Sequence, residues 1–162
     1  MNRLFKLSPA LALLGCASTP VGYETGTPPD ERDAVHRTTP APRVEDPDEL
    51  LRTSVRATLA IPVEQAEDWF FARNLSEVIR GTDSIPAIRG TTTLTGAWGQ
   101  PGDRRRVELS DDGTALEQVL ENNLPERFTY VVWNYTSDAA KYVEYGVGEF
   151  RFEAAGEKTQ VI

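Results

Sequence analysis

The sequence predicts an α+β fold, a curved antiparallel sheet with two short helices after its first strand. With 162 residues, the chain is long enough for about one domain. One short alternating strand is followed by two helix-like stretches, and β-type runs then alternate with turn residues to the end. Because strands joined by short turns pair as hairpins, the later part of the chain should form an antiparallel meander.

The first elements of the domain follow residue 51. Over residues 55–61, apolar side chains alternate with Arg and Thr, which is the period of a half-buried strand, and Pro62 ends the run. Residues 64–72 and 75–79 predict two short helices. Acidic residues near the start of the first agree with its helix dipole.

Six further strands are predicted from runs of β-branched and aromatic residues between turn signals. An Asp-Gly pair in Asp111-Asp112-Gly113 predicts a tight hairpin between two of them. The predicted strands cover residues 91–98, 104–110, 114–121, 128–136, 142–153 and 159–162.

The first sixteen residues have the pattern of an export leader. A basic start is followed by an apolar run too short to span a bilayer, and the run ends in Leu13-Leu14-Gly15-Cys16. This ending resembles the lipobox of bacterial lipoproteins, which implies a signal peptide over residues 1–15 and lipidation of Cys16. A buried core cysteine and ordinary signal cleavage are the alternatives. Because Ala17 follows the cysteine, the resemblance implies an outer-membrane anchor facing the periplasm.

Composition narrows the classes of partner and cofactor. The net charge of −8 and the pI near 4.7 argue against nucleic acid, which requires basic surfaces. One cysteine excludes an internal disulfide and a multi-cysteine metal cluster. The single histidine lies in the N-terminal tail, and the sequence has no phosphate loop or dinucleotide motif, so no metal or cofactor is expected. Residues 16–50 are rich in Pro and charged residues and poor in periodic apolar positions, which predicts a disordered tether.

Several short motifs carry a family resemblance when their order is considered. They are Trp69 after the first strand, residues 85–88 before the second, the Arg-x-Val-x-Leu run at 105–109 with its turn and Glu117, and the strand at 128–132. Together they resemble the helix-grip fold of the START-like or SRPBCC superfamily, which includes polyketide cyclase/dehydrase-type and lipid-transfer proteins.

The resemblance implies a cavity that holds a hydrophobic small molecule or lipid. Members of the superfamily add a C-terminal helix across the concave face, and this helix is missing from the present chain, which ends at Ile162. We therefore expect residues 51–162 to be an incomplete helix-grip domain. A cavity without its covering helix is the alternative.

Strand parity identifies a candidate polar pair. Arg105 shares a face with the apolar Val107 and should point inward, because side chains alternate along a strand. Arg104 and Arg106 should then point to solvent. Across the hairpin, Glu117 should come close to Arg105. The pair is interpreted either as a ligand-orienting or proton-transferring site, or as a structural salt bridge.

Aromatic residues supply the remaining candidates. Tyr130 shares its predicted face with apolar neighbours and either donates its hydroxyl to the cavity or serves as a core tyrosine. The predicted ligand-binding residues are Trp69, Arg105, Glu117 and Tyr130. An aromatic ligand wall could also include Trp98, Trp133, Tyr135 and Tyr145, although aromatic residues are favoured in strands for packing alone.

These observations predict a membrane-anchored envelope lipoprotein whose domain binds a hydrophobic small molecule or lipid. No catalytic residue is assigned, and no nucleic-acid partner is expected. One alternative is a cyclase- or dehydrase-type enzyme in which Glu117 or Tyr130 transfers protons and Arg105 polarises a carbonyl. The other is an envelope protein that binds another protein.

Overall fold

The computed structural model describes residues 33–45, 50–82 and 85–162, which form a mixed α+β structure with two antiparallel sheets and a few short helices. The expected signal peptide, residues 1–15, and the expected lipidation site, Cys16, lie outside these ranges. Within them, no helix is long and apolar enough to cross a membrane.

The elements follow the predicted order with few changes. Two helices come directly after the first strand, and the second begins where the Asn74 side chain accepts a hydrogen bond from the Ser76 amide (2.9 Å). In chain order the elements are α1 (Asp33–Thr38), β1 (Ala57–Leu59), a 3-10 turn (Val63–Gln65), α2 (Ala66–Phe71), α3 (Leu75–Val78), β2 (Ile88–Thr95), β3 (Arg104–Leu109), β4 (Thr114–Asn123), β5 (Arg127–Trp133), a 3-10 turn (Asp138–Lys141), β6 (Tyr145–Phe150), β7 (Phe152–Ala155) and β8 (Lys158–Val161).

The strands form two sheets where the sequence suggests one meander. The larger has the order β2-β3-β4-β5-β6, and the smaller has the order β1-β8-β7. The single strand expected over 142–153 is divided at Arg151, whose amide and carbonyl both bond to Ile162 (3.1 and 3.0 Å). The pairing of β5 with β6 ends at Phe128 and Phe150, and the chain from Phe152 pairs with β8 instead.

Helices α2 and α3 pack near the inner face of the larger sheet, which we define as the face that carries Arg105, Glu117 and Tyr130. The opposite, outer face carries Arg104, Arg106 and Trp133. Buried apolar residues lie on both faces. The inner side includes Ile88, Val107 and Leu109 against Leu75 and Ile79, and the outer side includes Leu94, Leu116, Val131, Trp133 and Tyr145.

The expectation that Arg104 and Arg106 point to solvent is wrong. Arg106 forms an ion pair with Asp33 of α1 (2.6 Å), and the Asp33 side chain is only 1% exposed. Arg104 Nη1 donates to the carbonyl oxygens of Arg37 and Thr39 (2.9 and 2.8 Å). The N-terminal segment, residues 33–45, therefore binds both cations of the outer face. The Asp33 carboxylate neutralises Arg106, and two backbone carbonyl oxygens accept hydrogen bonds from Arg104.

The N-terminal segment is consequently not a disordered tether over the residues described. Beyond α1, Ala41 and Val44 pack against the buried cluster of the outer face, as does Leu50. The Tyr145 hydroxyl accepts a hydrogen bond from the amide of Glu45 (2.9 Å). These few apolar residues are enough to hold the segment in place, because the sheet, rather than the segment itself, provides the surface against which they are buried.

Candidate functional site

A cavity lies between helices α2 and α3 and the inner face of the larger sheet. Its volume is about 70 Å³. At roughly 10–15 Å³ for each enclosed water, this is room for about five water molecules, a small space compared with pockets that hold drug-sized ligands. Its walls are formed mainly by apolar side chains: Trp69, Phe70, Phe71, Leu75, Val78, Ile79, Trp98, Phe128, Tyr130, Phe150, Phe152 and Val161.

Phe70 forms the centre of the aromatic packing in this wall. From helix α2 it reaches Phe128 and Phe150 on the sheet, with ring centroids 5.4 and 4.8 Å apart. It also contacts Phe71 and Phe152 (5.2 and 5.7 Å). Tilted and edge-to-face pairs of this kind each stabilise by about 0.5–1.5 kcal/mol beyond their buried area. The helix is thereby fixed to the sheet at the cavity wall.

The Arg105–Glu117 pair predicted from strand parity is confirmed in its geometry. The two residues are directly opposite in the β3–β4 register, and Arg105 Nε donates to Glu117 Oε2 at 2.5 Å. The side chains are 12% and 6% exposed. Since both charges are largely removed from water, each depends on the other for compensation. The role of the pair in ligand binding stays a prediction.

Trp98 supplies a second contact to the guanidinium. The Arg105 Cζ atom lies 3.6 Å from the centroid of the Trp98 ring, a cation–π arrangement. Trp98 adopts φ 57°, a left-handed conformation that bulky residues adopt rarely. The carboxylate of Asp103 stabilises the turn by accepting from the amides of Gly99 and Gln100 (3.1 and 2.9 Å). This turn positions the indole against Arg105.

Tyr130 lies in the cavity wall over a glycine of the neighbouring strand. A Cβ atom at Gly148 would meet Cε1 and Cζ of Tyr130 below van der Waals distance, so only glycine leaves space for the ring. The ring stacks on Phe150 at 6.2 Å with an interplanar angle of 13°. Burial, and then the charge of Glu117, raises the pKa of Tyr130 above its usual value. The hydroxyl therefore keeps its proton at neutral pH.

The residues predicted to form an aromatic ligand wall divide into two groups in the structure, and their contact with a ligand stays a prediction. Trp69 and Trp98 line the cavity. Trp133 and Tyr145 belong instead to the buried cluster of the outer face, because Trp133 has the opposite parity to Tyr130 on β5. Tyr135 has a buried hydroxyl with no hydrogen-bond partner in the described part of the chain, and burial raises its pKa.

Most of the apolar residues in the cavity wall were not predicted as site residues, and neither were Arg73 and Gly148. Arg73 lines the cavity and stacks on Trp69, with its Cζ atom 4.9 Å from the ring centroid. Gly148 makes the close approach of Tyr130 possible. Gly148 could have been identified from the sequence, because a glycine inside a strand pattern indicates the close approach of another backbone or ring. Arg73 could not, because its position depends on how α2 packs.

The described ranges contain no group of three or more His, Cys, Asp or Glu side chains that could hold a metal ion. Compared with known proteins, the chain has no significant match to a family model, to a curated protein or to a solved structure. The chemical character of the cavity is therefore the basis on which its function is argued.

Proposed function

We propose that this protein is a binding module that holds a small hydrophobic molecule in the cavity between α2, α3 and the inner face. The observation that carries the proposal is a mainly aromatic and aliphatic cavity whose wall also includes the polar side chains of Arg73, Arg105 and Tyr130. Apolar walls with few polar groups are typical of ligand sites, since burial supplies affinity and the polar atoms supply orientation.

The proposal includes the assignment of residues 51–162 to the helix-grip fold. Three features support it: β1 pairs with the last strand, β8; two short helices follow β1 directly; and β2 to β6 form an antiparallel meander. Fold alone does not establish function, so the argument for binding rests on the cavity.

The cavity size favours a small molecule over a whole lipid. Its volume of about 70 Å³ lies well below the roughly 300–1,000 Å³ of typical ligand pockets. We propose a ligand with a single ring and one substituent, which the wall residues Phe70, Phe128 and Phe150 would contact through their ring edges and faces. An enclosed cavity that binds benzene has a volume of about 150 Å³, so part of such a ligand would extend through the open side of this cavity.

Binding is favoured over proton-transfer catalysis by the state of the polar groups. The raised pKa of Tyr130 makes its hydroxyl a weak acid, and the Glu117 carboxylate already accepts from Arg105. A general acid or base works best when its pKa lies near the operating pH, and the raised pKa moves Tyr130 away from that range.

We further propose that the protein acts at the cell envelope, anchored through a lipid on Cys16. The support is the basic, then apolar leader that ends in the Leu-Leu-Gly-Cys sequence. With a net charge of −8, the chain has no excess of basic residues to hold it at anionic headgroups, so the lipid chains would provide the attachment.

The binding proposal is tested by titrating the purified protein with ethylbenzene, followed by calorimetry. We expect saturable binding that Val78→Trp weakens at least about ten-fold, because the larger side chain occupies the cavity that Val78 lines. Val35→Trp is the matched control, since Val35 is 70% exposed on α1 and should leave binding unchanged. Equal binding by the wild type and Val78→Trp would show that ethylbenzene binds elsewhere and would contradict the proposal.

The native ligand can be sought by mass spectrometry of the small molecules extracted from the purified protein. A hydrophobic compound that is present with the wild type and depleted with Val78→Trp would support the proposal. A compound retained equally by both proteins would oppose it.

A further inference from the structure

Two polar side chains of the cavity wall, Arg105 and Tyr130, carry hydrogen-bond donors that have no acceptor among the residues the structure describes. Arg105 uses Nε for its bond to Glu117, and its terminal nitrogens, Nη1 and Nη2, have no acceptor among the described residues. A guanidinium carries five N–H donors and no acceptor, so four N–H groups of Arg105 remain for water or a ligand.

Tyr130 adds a second donor to the cavity wall. Both side chains line the cavity and contact the same indole: Trp98 lies 6.2 Å from the Tyr130 ring and 3.6 Å from Arg105 Cζ. In the part of the chain that the structure describes, the Tyr130 hydroxyl has no hydrogen-bond partner. A tyrosine hydroxyl is protonated at neutral pH, and burial moves the pKa of Tyr130 further above that range, so this hydroxyl can donate.

The charge of Arg105 is already balanced. Glu117 neutralises Arg105 across 2.5 Å, and its side chain is only 6% exposed. An anionic ligand would add a second negative charge close to Glu117 in a site that excludes most water, where repulsion between like charges is strong. Arg73, the other cation of the wall, is half-buried, and surrounding water weakens its attraction for an anion.

We propose that the cavity selects a neutral ligand whose polar group is a hydrogen-bond acceptor, that is, a small aromatic or aliphatic carbonyl compound. Its oxygen accepts from Arg105 and from Tyr130, and its apolar body contacts the phenylalanine wall. This inference rests on the proposed binding function and adds the chemical class of the ligand. A free carboxylate and a pure hydrocarbon are the competing classes.

Three probes of similar size separate these classes. Acetophenone offers a neutral carbonyl, benzoate offers an anionic carboxylate, and ethylbenzene offers no acceptor. We expect acetophenone to bind about three- to ten-fold more tightly than ethylbenzene for each hydrogen bond made, and more tightly than benzoate. Calorimetric titration of the full chain at pH 7 measures all three dissociation constants.

The outcomes distinguish this inference from the binding proposal itself. Equal affinity for ethylbenzene and acetophenone would overturn the inference while leaving a hydrophobic site in place. Tighter binding of benzoate than of acetophenone would overturn the preference for a neutral group. Absence of binding by all three probes would overturn the binding function and, with it, the inference.

A conservative variant tests the donor directly. Tyr130→Phe removes the hydroxyl and retains the ring that stacks on Phe150, so acetophenone should bind about three-fold more weakly and ethylbenzene as before. Tyr142→Phe is the matched control, because Tyr142 is 69% exposed and is not part of the cavity wall. If Tyr130→Phe weakens both probes equally, the hydroxyl acts through packing and the assignment is wrong.

Discussion

Removing the carboxylate of Glu117 is the most informative perturbation of the inner face. The Glu117→Leu variant would leave the Arg105 guanidinium, 12% exposed, without its counter-charge. At an effective dielectric constant of about 20, charges about 4 Å apart attract by about 4 kcal/mol. Breaking a buried pair by removing one partner costs about 3–5 kcal/mol, and we expect a loss of that size in the free energy of unfolding. The remaining Arg105–Trp98 contact should keep the loss toward the lower end.

The double variant Arg105→Met/Glu117→Leu separates charge from shape. It removes both charges and retains apolar volume, so it should recover most of the stability lost by Glu117→Leu. Urea unfolding followed by far-UV circular dichroism measures the free energy of unfolding, and constant m-values ensure a fair comparison. Arg127→Met is the exposed control, because Arg127 is 48% exposed in its pair with Glu149 and should lose at most about 1 kcal/mol.

Two results would refute the reasoning. A loss below about 1 kcal/mol for Glu117→Leu would mean that water screens the pair as it does at a surface. A double variant as unstable as the single variant would mean that the inner face requires polar groups here, whatever the charge balance. In the expected case, recovered stability with lost acetophenone binding would assign the pair to ligand recognition.

Three further predictions concern the outer face, the buried tyrosines and the anchor. Asp33→Ala should lower the free energy of unfolding by about 1–3 kcal/mol in urea titrations, because among the described residues Arg106 then keeps the more exposed carboxylate of Glu108. An unchanged midpoint would contradict the docking of residues 33–45. Burial raises the pKa of Tyr130 and Tyr135. Above about pH 10 the unfolded state therefore loses protons that the folded state keeps, and the free energy of unfolding should fall as the pH rises. Tyrosinate absorbance that shows all tyrosines ionising near pH 10 in the folded protein would oppose this. Cys16→Ser should move the protein from the membrane fraction to the soluble fraction, and membrane retention of the variant would oppose lipidation.

Local patterns in the sequence predicted the strands and turns that depend on neighbouring residues along the chain. The strand at residues 104–110, the Asp-Gly hairpin and the returning strand agree with β3 and β4 within a few residues. Alternation along a strand and the length of the hairpin together determine which residues lie opposite one another. For this reason the pairing of Arg105 with Glu117 could be predicted without a structure.

The features that sequence analysis missed depend on contacts between distant segments. Residues 33–45 contain too few apolar positions to indicate a folded segment, and they are ordered by Arg104 and Arg106, which lie more than sixty residues away. The division at Arg151 reflects a change of pairing partner from β5 to β8, which the local pattern of residues 142–153 does not contain.

The sequence by itself determined most of the strands and turns after residue 57 and the common side of Arg105 and Glu117, because these follow from the chain's own periodicity and backbone preferences. Only the tertiary structure decided what covers each side. It placed α2 and α3 over the inner face, leaving a cavity beside Arg105 and Tyr130, and it placed the N-terminal segment against the outer face. Burial and charge compensation are properties of surfaces that meet in space, and their partners are separated along the chain.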